Sequence, residues 1–211
     1  MSNCEVFNLS ALEVELHQVR EVLRCVLHTI LFNRSLGQVK PVDVDSELFD
    51  ITYVHCGDPE VVARLEARID EACAAFERKP QEVAQLVLAF YEPRRRQVGW
   101  FGKGDERLFW EKWVVNFCIV QSDVFAQDHH SLAYTNARSV RQAQRQAALE
   151  ALLGEVITAL NQRRAHIPPV VSASPCSFPW EVSTSGGSRL ALGLGSVKRL
   201  LLQSAPPPVL S

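Results

Sequence analysis

Two neighbouring apolar runs dominate the middle of this 211-residue chain, Val83–Tyr91 and Leu108–Gln121. Both are rich in β-branched and aromatic residues, which is typical of strands, and alternating segments in the second run support the same interpretation. Pro93 is expected to end the first strand. The sixteen residues 92–107 separate the two runs, which is long for a hairpin and indicates a functional or disordered loop. The two runs therefore predict neighbouring strands of a sheet.

Three apolar stripes at three- and four-residue spacing predict helices. The first helix is expected to begin at Ser10–Glu13, which has capping-box spacing, and to reach about Phe32. The second is expected to open at Asp58-Pro59, and the third to run from near Asn136 or Ser139 to about Arg163. Their expected buried residues are Leu12, Leu16, Val19, Leu23, Val26 and Ile30 in the first helix, Val62, Leu65, Ile69, Ala72 or Cys73 and Phe76 in the second, and Val140, Ala147, Leu152, Val156 and Leu160 in the third.

Shorter segments complete the expected fold. Glu5–Leu9 and Leu48–Cys56 are predicted strands, the latter with Phe49, Ile51 and Tyr53 on one face, and residues 33–46 are expected to connect elements. Ser177–Ser183 is a predicted final strand that Pro179 restricts to an edge or a start, and Gly195–Gln203 is expected to form a last helical turn or two. The pattern predicts an α+β domain, an antiparallel sheet with three long helices packed on one face, spanning residues 1–203, with a flexible tail at 204–211.

Composition and charge exclude several classes of protein. Hydrophobic residues make up 47% and charged residues 22%, which is ordinary for a globular protein, and the net charge of −2 gives no general attraction to nucleic acid or to an anionic membrane. We expect no signal peptide and no transmembrane segment, since the longest apolar runs, such as Val26–Phe32, are too short to span a bilayer. The six widely spaced cysteines indicate buried thiols in a reducing compartment, so a cytoplasmic location is expected.

Known catalytic and ligand-binding motifs do not account for any part of the chain. Gly102-Lys103-Gly104 and Gly193-Leu194-Gly195 lack the spacing of phosphate-binding loops. His129 and His130 have no further ligands at metal-binding spacing, and His55 and Cys56 are neighbours on a predicted strand, so their side chains are expected to face opposite ways. We therefore expect no catalytic residues, no metal and no cofactor.

The aromatic pair Trp100 and Phe101 has no periodic pattern to join, because it lies directly before a Gly-Lys-Gly turn. One interpretation is that both side chains fold back onto the domain. The other is an apolar finger that anchors a protein partner, because large aromatic side chains bury much area and dominate binding hot spots. Trp110 and Trp113 lie three positions apart on the predicted strand, so they are expected to point to opposite faces.

Nucleic-acid binding is an alternative that this region leaves open. Arg94-Arg95-Arg96 precedes Trp100 and Phe101, and basic groups next to aromatics suit a single-stranded nucleic acid through phosphate contacts and base stacking. The basic cluster is small, however, and Asp105, Glu106 and Glu111 follow it closely. A solvated loop flank is the simpler explanation of the arginines.

Several longer stretches resemble the autophagy-related protein 101 family, whose members are HORMA-domain subunits of the autophagy-initiation kinase complex. The stretches are VLHTILFNRSLG at 26–37, FDITYV at 49–54, WF followed by ERLFWEKW within 100–113, HIPPV at 166–170, SFPWEV at 177–182 and KRLL at 198–201. They span nearly the whole chain in order. No single one is a catalytic signature, but together they are fairly specific.

The resemblance implies a HORMA-like fold without enzymatic activity. It implies pairing with, and stabilisation of, the HORMA domain of autophagy-related protein 13, and recruitment to the phagophore assembly site. Trp100 and Phe101 match the family's "WF finger", which helps to recruit downstream autophagy factors, although some members have a proline between the two aromatics. No short motif marks the pairing surface. The first-helix stretch and the strand at 48–54 are our starting expectation for it.

Overall fold

The computed structural model describes residues 4–78, 83–98, 102–120, 132–170 and 177–184. The strands are β1 (Glu5–Asn8), β2 (Leu12–Glu15), β3 (Val42–Asp45), β4 (Thr52–His55), β5 (Val83–Val98), β6 (Gly102–Val120) and β7 (Trp180–Thr184). The helices are α1 (Val19–Arg34), α2 (Pro59–Arg78) and α3 (Leu132–Gln162). These elements confirm an α+β architecture with three long helices.

The main sheet has the strand order β1-β6-β5-β7, with β2 also paired to β6. Strand β6 pairs antiparallel with β5, and β5 pairs antiparallel with β7. Strands β1 and β2, however, both pair parallel with β6, so the expectation of an antiparallel sheet is wrong for the N-terminal strands. The parallel pairing is possible because α1, α2 and β5 separate these strands from β6 in the chain, which gives room for a crossover.

The start of the first helix differs from the prediction. Leu12 to Glu15 forms β2, in which Leu12 and Val14 are buried and Glu13 is exposed, and α1 begins only at Val19. The reciprocal cap expected at Ser10–Glu13 occurs instead at Glu15 and Gln18, around the short 3-10 turn Leu16–Gln18. A single buried residue at Leu12 fits a helical and a strand spacing equally well, which explains the error.

The second and third helices are present as expected, but α3 begins at Leu132, earlier than the predicted start near Asn136 or Ser139. Asp58 caps α2, its Oδ1 accepting hydrogen bonds from the backbone N–H groups of Glu60 at 2.9 Å and Val61 at 3.3 Å. Leu65, Ile69 and Phe76 are buried as expected, and so are Leu152, Val156 and Leu160 of α3. Val140 and Ala147 are exposed, so their assignment to the inner face of α3 is wrong. Leu149 lies on the buried face instead.

The small strands also differ in extent. β4 covers only Thr52–His55 of the expected strand at 48–56, although Phe49 and Tyr53 are both buried in the core and Ile51 packs against it. β4 pairs antiparallel with β3, which lies in the stretch that was expected to be a plain connection. β7 is an edge strand, as Pro179 predicted, and begins at Trp180. The expected turn at 195–203 and the tail at 204–211 lie outside the described residues.

One core holds these elements together. Alternate residues on one face of β5 and β6 are buried against the helices, and α1 is covered most completely. The sheet contributes Ala84, Leu86, Leu88, Phe90, Trp113, Val115 and Phe117 to this core. Nowhere in the described ranges is a helix both long and apolar enough to span a bilayer.

Candidate functional site

The long hairpin of β5 and β6 extends beyond the rest of the sheet. Pairing between β5 and β7 reaches Phe90, and pairing between β1 and β6 reaches Glu111. Past these points the ladder of β5 with β6 continues to the pair Val98 and Gly102. We call residues 91–98 and 102–110 the arm. It contradicts the expected sixteen-residue loop, because most of residues 92–107 are paired strand.

Pro93 lies within the arm rather than at the end of a strand, opposite Arg107. Proline is tolerated where a strand has a free edge, because its missing N–H group then removes no ladder hydrogen bond. The segment that the arm encloses, residues 99–101, includes the predicted finger residues. Trp100 and Phe101 lie outside the described residues, so their assignment as partner-binding residues stays a prediction.

The arm does not carry an uninterrupted basic surface. The register places Arg94 opposite Glu106 and Arg95 opposite Asp105 on the neighbouring strand. Opposite charges at facing positions reduce the net charge that a nucleic-acid backbone would meet. Two of the three arginines of the nucleic-acid alternative therefore face an acidic residue, and the third, Arg96, faces Gly104. Within the described residues no contact favours that alternative.

A β-bulge marks the base of the arm. Phe90 pairs with Glu111, whereas the next residue, Tyr91, pairs with Phe109, which leaves Trp110 as the extra residue. The bulge brings Trp110 into the same core as Trp113, and both side chains are buried. The prediction that the two tryptophans face opposite ways is wrong, because the extra residue changes the alternation of β6 at this point.

Beside the bulge, the fully buried carboxylate of Glu111 accepts hydrogen bonds from three side chains. Arg34 at the end of α1 donates from Nε at 2.9 Å and from Nη2 at 2.8 Å, and Trp113 donates from Nε1 at 2.5 Å. The Nε2 atom of His166, just after α3, lies 2.5 Å from Glu111 Oε2. A buried charge needs this degree of compensation. We call these four residues the Glu111 cluster.

The Glu111 cluster was not identified from the sequence. On the predicted strand, Glu111 shares a face with Phe109, Trp113 and Val115. A single glutamate on an otherwise apolar strand face is the one sequence signal that points to a buried carboxylate. Its partners lie 77 and 55 positions away in the chain, at Arg34 and His166. No local spacing rule connects residues at such separations.

A second polar cluster joins α1 to α2. Arg24 donates to Glu66 from Nε at 3.0 Å and from Nη2 at 2.8 Å, and the Nε2 atom of buried His28 lies 3.5 Å from Glu66. Burial opposes ionisation of Glu66, but the hydrogen bonds from His28 and Arg24 outweigh it and lower the pKa of Glu66 to about 2. This cluster therefore cross-links two helices with an ionised carboxylate.

Next to this cluster, His28 stacks on Tyr53 with ring centroids 5.5 Å apart, and His55 lies 5.6 Å from His28. Burial and the nearby His28 lower the pKa of His55, whose Nδ1 accepts a hydrogen bond from the backbone N–H of Gly57.

Burial raises the pKa of the neighbouring thiol of Cys25 to about 12, so that thiol is a poor nucleophile. Cys56 is buried beside the Gly57 turn. Within the described ranges, no group of three or more His, Cys, Asp or Glu side chains is arranged to hold a metal ion.

The outward face of α3 lacks charged side chains over several turns. Helical spacing places Val140, Ala143, Gln144, Ala147, Ala151, Gly154 and Thr158 on this face, opposite the buried Leu149, Leu152 and Val156. Val140 is 55% exposed. A Cβ atom built on Gly154 meets nothing within 4 Å, so no contact within this chain requires a glycine there. Exposed helix faces usually carry charges, so this surface is unusual for a helix that meets only water.

By contrast, the first helix has little surface to offer a partner. Of the stretch 26–37, Val26, Leu27, Ile30 and Leu31 are at most 1% exposed and Arg34 is held by Glu111. Residues 48–54 are mixed, with Phe49 and Tyr53 buried and Leu48 37% exposed. The part of the starting expectation that placed a partner on the first helix therefore does not fit its burial.

Comparisons with known proteins agree with one another. The family model described as autophagy-related protein 101 matches residues 11–174. Autophagy-related protein 101 of Arabidopsis thaliana is 37% identical over 97% of this chain and 98% of its own length. The proteins of the same name from Schizosaccharomyces pombe and Homo sapiens are 25% and 31% identical, covering 87% and 56% of this chain and 88% and 59% of their own lengths.

Proposed function

This chain belongs to the autophagy-related protein 101 family, and we propose that within autophagy it acts as a non-enzymatic adaptor. It adopts a HORMA-like fold and pairs with the HORMA domain of autophagy-related protein 13 in the initiation kinase complex. Through Trp100 and Phe101 it recruits downstream factors to the phagophore assembly site from the cytoplasm. The mixed sheet covered by three helices supports the fold assignment.

The arm is the observation that carries the recruitment part of this proposal. Its two strands stay paired up to Val98 and Gly102, which leaves residues 99–101 as a short connection beyond the last rung. In this proposal the two paired strands serve as the support that presents the connecting segment to a partner. Large aromatic side chains in such a connection suit a hot-spot anchor, since they contribute much contact area at low entropic cost.

The outward face of α3 supports the pairing part. Its small side chains allow another backbone to approach closely, and the absence of charge removes the desolvation cost that charged groups would bring. A glycine at position 154 weakens α3, and no contact within the described part of this chain requires it. A close contact with a partner would explain why a glycine is present there. The α3 face therefore replaces α1 as our proposed contact with the HORMA partner.

Pairing is tested with purified proteins. The chain is mixed with the HORMA domain of autophagy-related protein 13, and complex formation is measured by size-exclusion chromatography with light scattering. The Ala151→Arg variant should abolish or greatly weaken the complex, because it introduces a buried charge at the α3 face. Ala67→Arg is the matched control, since Ala67 is an exposed alanine on α2. Unchanged pairing by Ala151→Arg would reject the α3 surface, and no complex with the wild-type chain would reject pairing itself.

The finger is tested in the same preparation. The double variant Trp100→Ala, Phe101→Ala should keep the wild-type melting temperature and the wild-type pairing, because the proposed finger places neither side chain in the core. If both instead packed in the core, each truncation would cost about 3–5 kcal/mol and lower the melting temperature clearly. That outcome would contradict a projecting finger.

A further inference from the structure

The base of the arm is held from three sides by elements that are distant in sequence. Arg34 comes from the end of α1, His166 from the segment after α3, and Phe178 from the approach to β7. Arg34 and His166 contact Glu111. Of the β6 residues that pair with β1, Glu111 is the one nearest the arm. Phe178 packs edge-on against Trp110, with ring centroids 4.8 Å apart.

This position is also where the hairpin changes from sheet to arm. Phe90 and Glu111 form the last rung below the bulge, and Trp110 is the unpaired residue in it. A bulge bends its strand and increases the local twist, so the residues around it determine the direction of the strands beyond it. Trp110 is fixed by Phe90, Phe178 and His166, with ring centroids 5.5, 4.8 and 5.8 Å away.

We propose that Arg34, Glu111, His166 and Trp110 form a clamp that fixes the direction in which the arm leaves the domain. Glu111 and Trp110 are the parts of the clamp that belong to the arm's own strand, and Arg34 and His166 attach them to α1 and to the segment after α3. His166 is a positioning residue: it acts through Glu111 and Trp110 on the arm, and through the arm on residues 99–101. The functional part of this inference rests on the proposed role of Trp100 and Phe101.

His166 is the suitable point at which to test the clamp. It is the partly accessible member, with its side chain 13% exposed, whereas Arg34 and Glu111 are 2% and 0% exposed. Replacing a fully buried charge risks unfolding the domain, but His166→Leu removes one hydrogen bond to Glu111 and leaves the Arg34 pair in place. His166→Gln keeps a side-chain N–H group and serves as the conservative variant.

The direct measurement is the distance between the arm and the core. Nitroxide labels are attached through p-acetylphenylalanine at exposed Arg94 on the arm and exposed Ala67 on α2, which leaves all six cysteines untouched, and the distance distribution is recorded by electron–electron double resonance. His166→Leu should add a displaced arm population roughly ten-fold larger than in the wild type, as loss of a hydrogen bond to a charged group implies. His166→Gln should restore the wild-type distribution.

The matched control is His17→Leu, because His17 is a histidine with its side chain 56% exposed and away from the arm. It should leave the distance distribution unchanged. An unchanged distribution in His166→Leu would overturn the clamp. So would an equal broadening in the control.

The functional readout is co-purification of the proteins that the Trp100→Ala, Phe101→Ala variant fails to retain. His166→Leu should lose the same proteins in part while keeping its HORMA partner, and full retention of them despite a broadened distribution would overturn the positioning role. If the finger variant itself loses nothing, the proposed finger function fails. The distance measurement then still decides separately whether the clamp directs the arm.

Discussion

Glu111 shows how much a single residue organises in this chain. A carboxylate without solvent exposure is tolerated only when charged and polar donors replace its water shell. Arg34 supplies a bidentate pair, and Trp113 and His166 use the remaining acceptor positions. The residue therefore ties α1, the centre of the sheet and the segment after α3 to one point.

Glu111→Leu should lower the free energy of unfolding by about 3–5 kcal/mol, because it leaves the guanidinium of Arg34 buried without its partner. Urea unfolding followed by fluorescence or circular dichroism measures this difference. The additional change Arg34→Met should recover much of the loss by removing the unpaired charge. Glu106→Gln is the control on the same strand: Glu106 is exposed, so a change within about 0.5 kcal/mol is expected. A loss below about 1 kcal/mol in Glu111→Leu would contradict the assigned role.

Glu66 gives a prediction for the effect of pH. Its pKa is about 2 in the folded protein, against an ordinary value of 4.5, so the folded state favours the ionised form. The stabilisation is fully present above pH 4.5 and is lost as the pH falls toward 2. The difference in unfolding free energy between the wild type and Glu66→Gln should therefore shrink steadily across this range. A difference that does not depend on pH would contradict the assigned interaction with Arg24 and His28, and Glu71→Gln on the same helix is the exposed control.

The sequence predicts the burial of many single residues, but it does not predict which polar side chains form hydrogen bonds with one another. Leu65, Ile69, Val156 and Leu160 were identified by helical spacing alone, since a helix face repeats within a few residues. The partnership of Glu111 with Arg34 and His166 depends on how distant elements meet. That information is not contained in a local pattern.

At the scale of elements, two glycines have opposite roles. Gly57 lies in the turn between β4 and α2 with φ at 70°, and a Cβ atom there would lie 2.0 Å from the carbonyl oxygen of Lys40. Both the left-handed backbone and the close approach require glycine. Gly154 lies within α3 in an ordinary helical environment with open space around it.

The substitutions Gly57→Ala and Gly154→Ala should therefore change stability in opposite directions. Gly154→Ala should raise the unfolding free energy by up to about 1 kcal/mol through improved helix propensity. Gly57→Ala should lower it by about 1–3 kcal/mol, since it imposes backbone strain and a steric clash with Lys40. Thermal unfolding of the two variants beside the wild type measures both effects. Destabilisation by Gly154→Ala would show that α3 has a close neighbour at this position within the chain.

The elements that the sequence predicted best are those with long periodic patterns and clear ends. Asp58-Pro59 marks the start of α2 because the cap and the first-turn proline act locally. The start of α1 and the length of β5 and β6 were misjudged for a common reason. In both regions strand pairing with β6 or β5 decides the structure, and it overrides the signals of the capping box at Ser10–Glu13 and of Pro93.

At the scale of the whole molecule, the buried core and the two proposed binding surfaces lie in different parts of the domain. The core around α1 carries the buried ion pairs, the outward face of α3 offers an uncharged surface, and the arm extends past the sheet toward residues 99–101. The adaptor proposal uses the second and third of these surfaces for two different partners. The two contacts should therefore be separable by mutation, which is not expected of a chain with one binding site.

Quantitative co-purification tests this separation most directly. The wild-type chain, the Trp100→Ala, Phe101→Ala variant and the Ala151→Arg variant are each isolated from cells under autophagy-inducing conditions, and the bound proteins are measured by mass spectrometry. The finger variant should retain autophagy-related protein 13 and lose a set of downstream factors, whereas Ala151→Arg should lose autophagy-related protein 13. Retention of all partners by the finger variant, or the loss of autophagy-related protein 13 with them, would contradict an adaptor with two independent contacts.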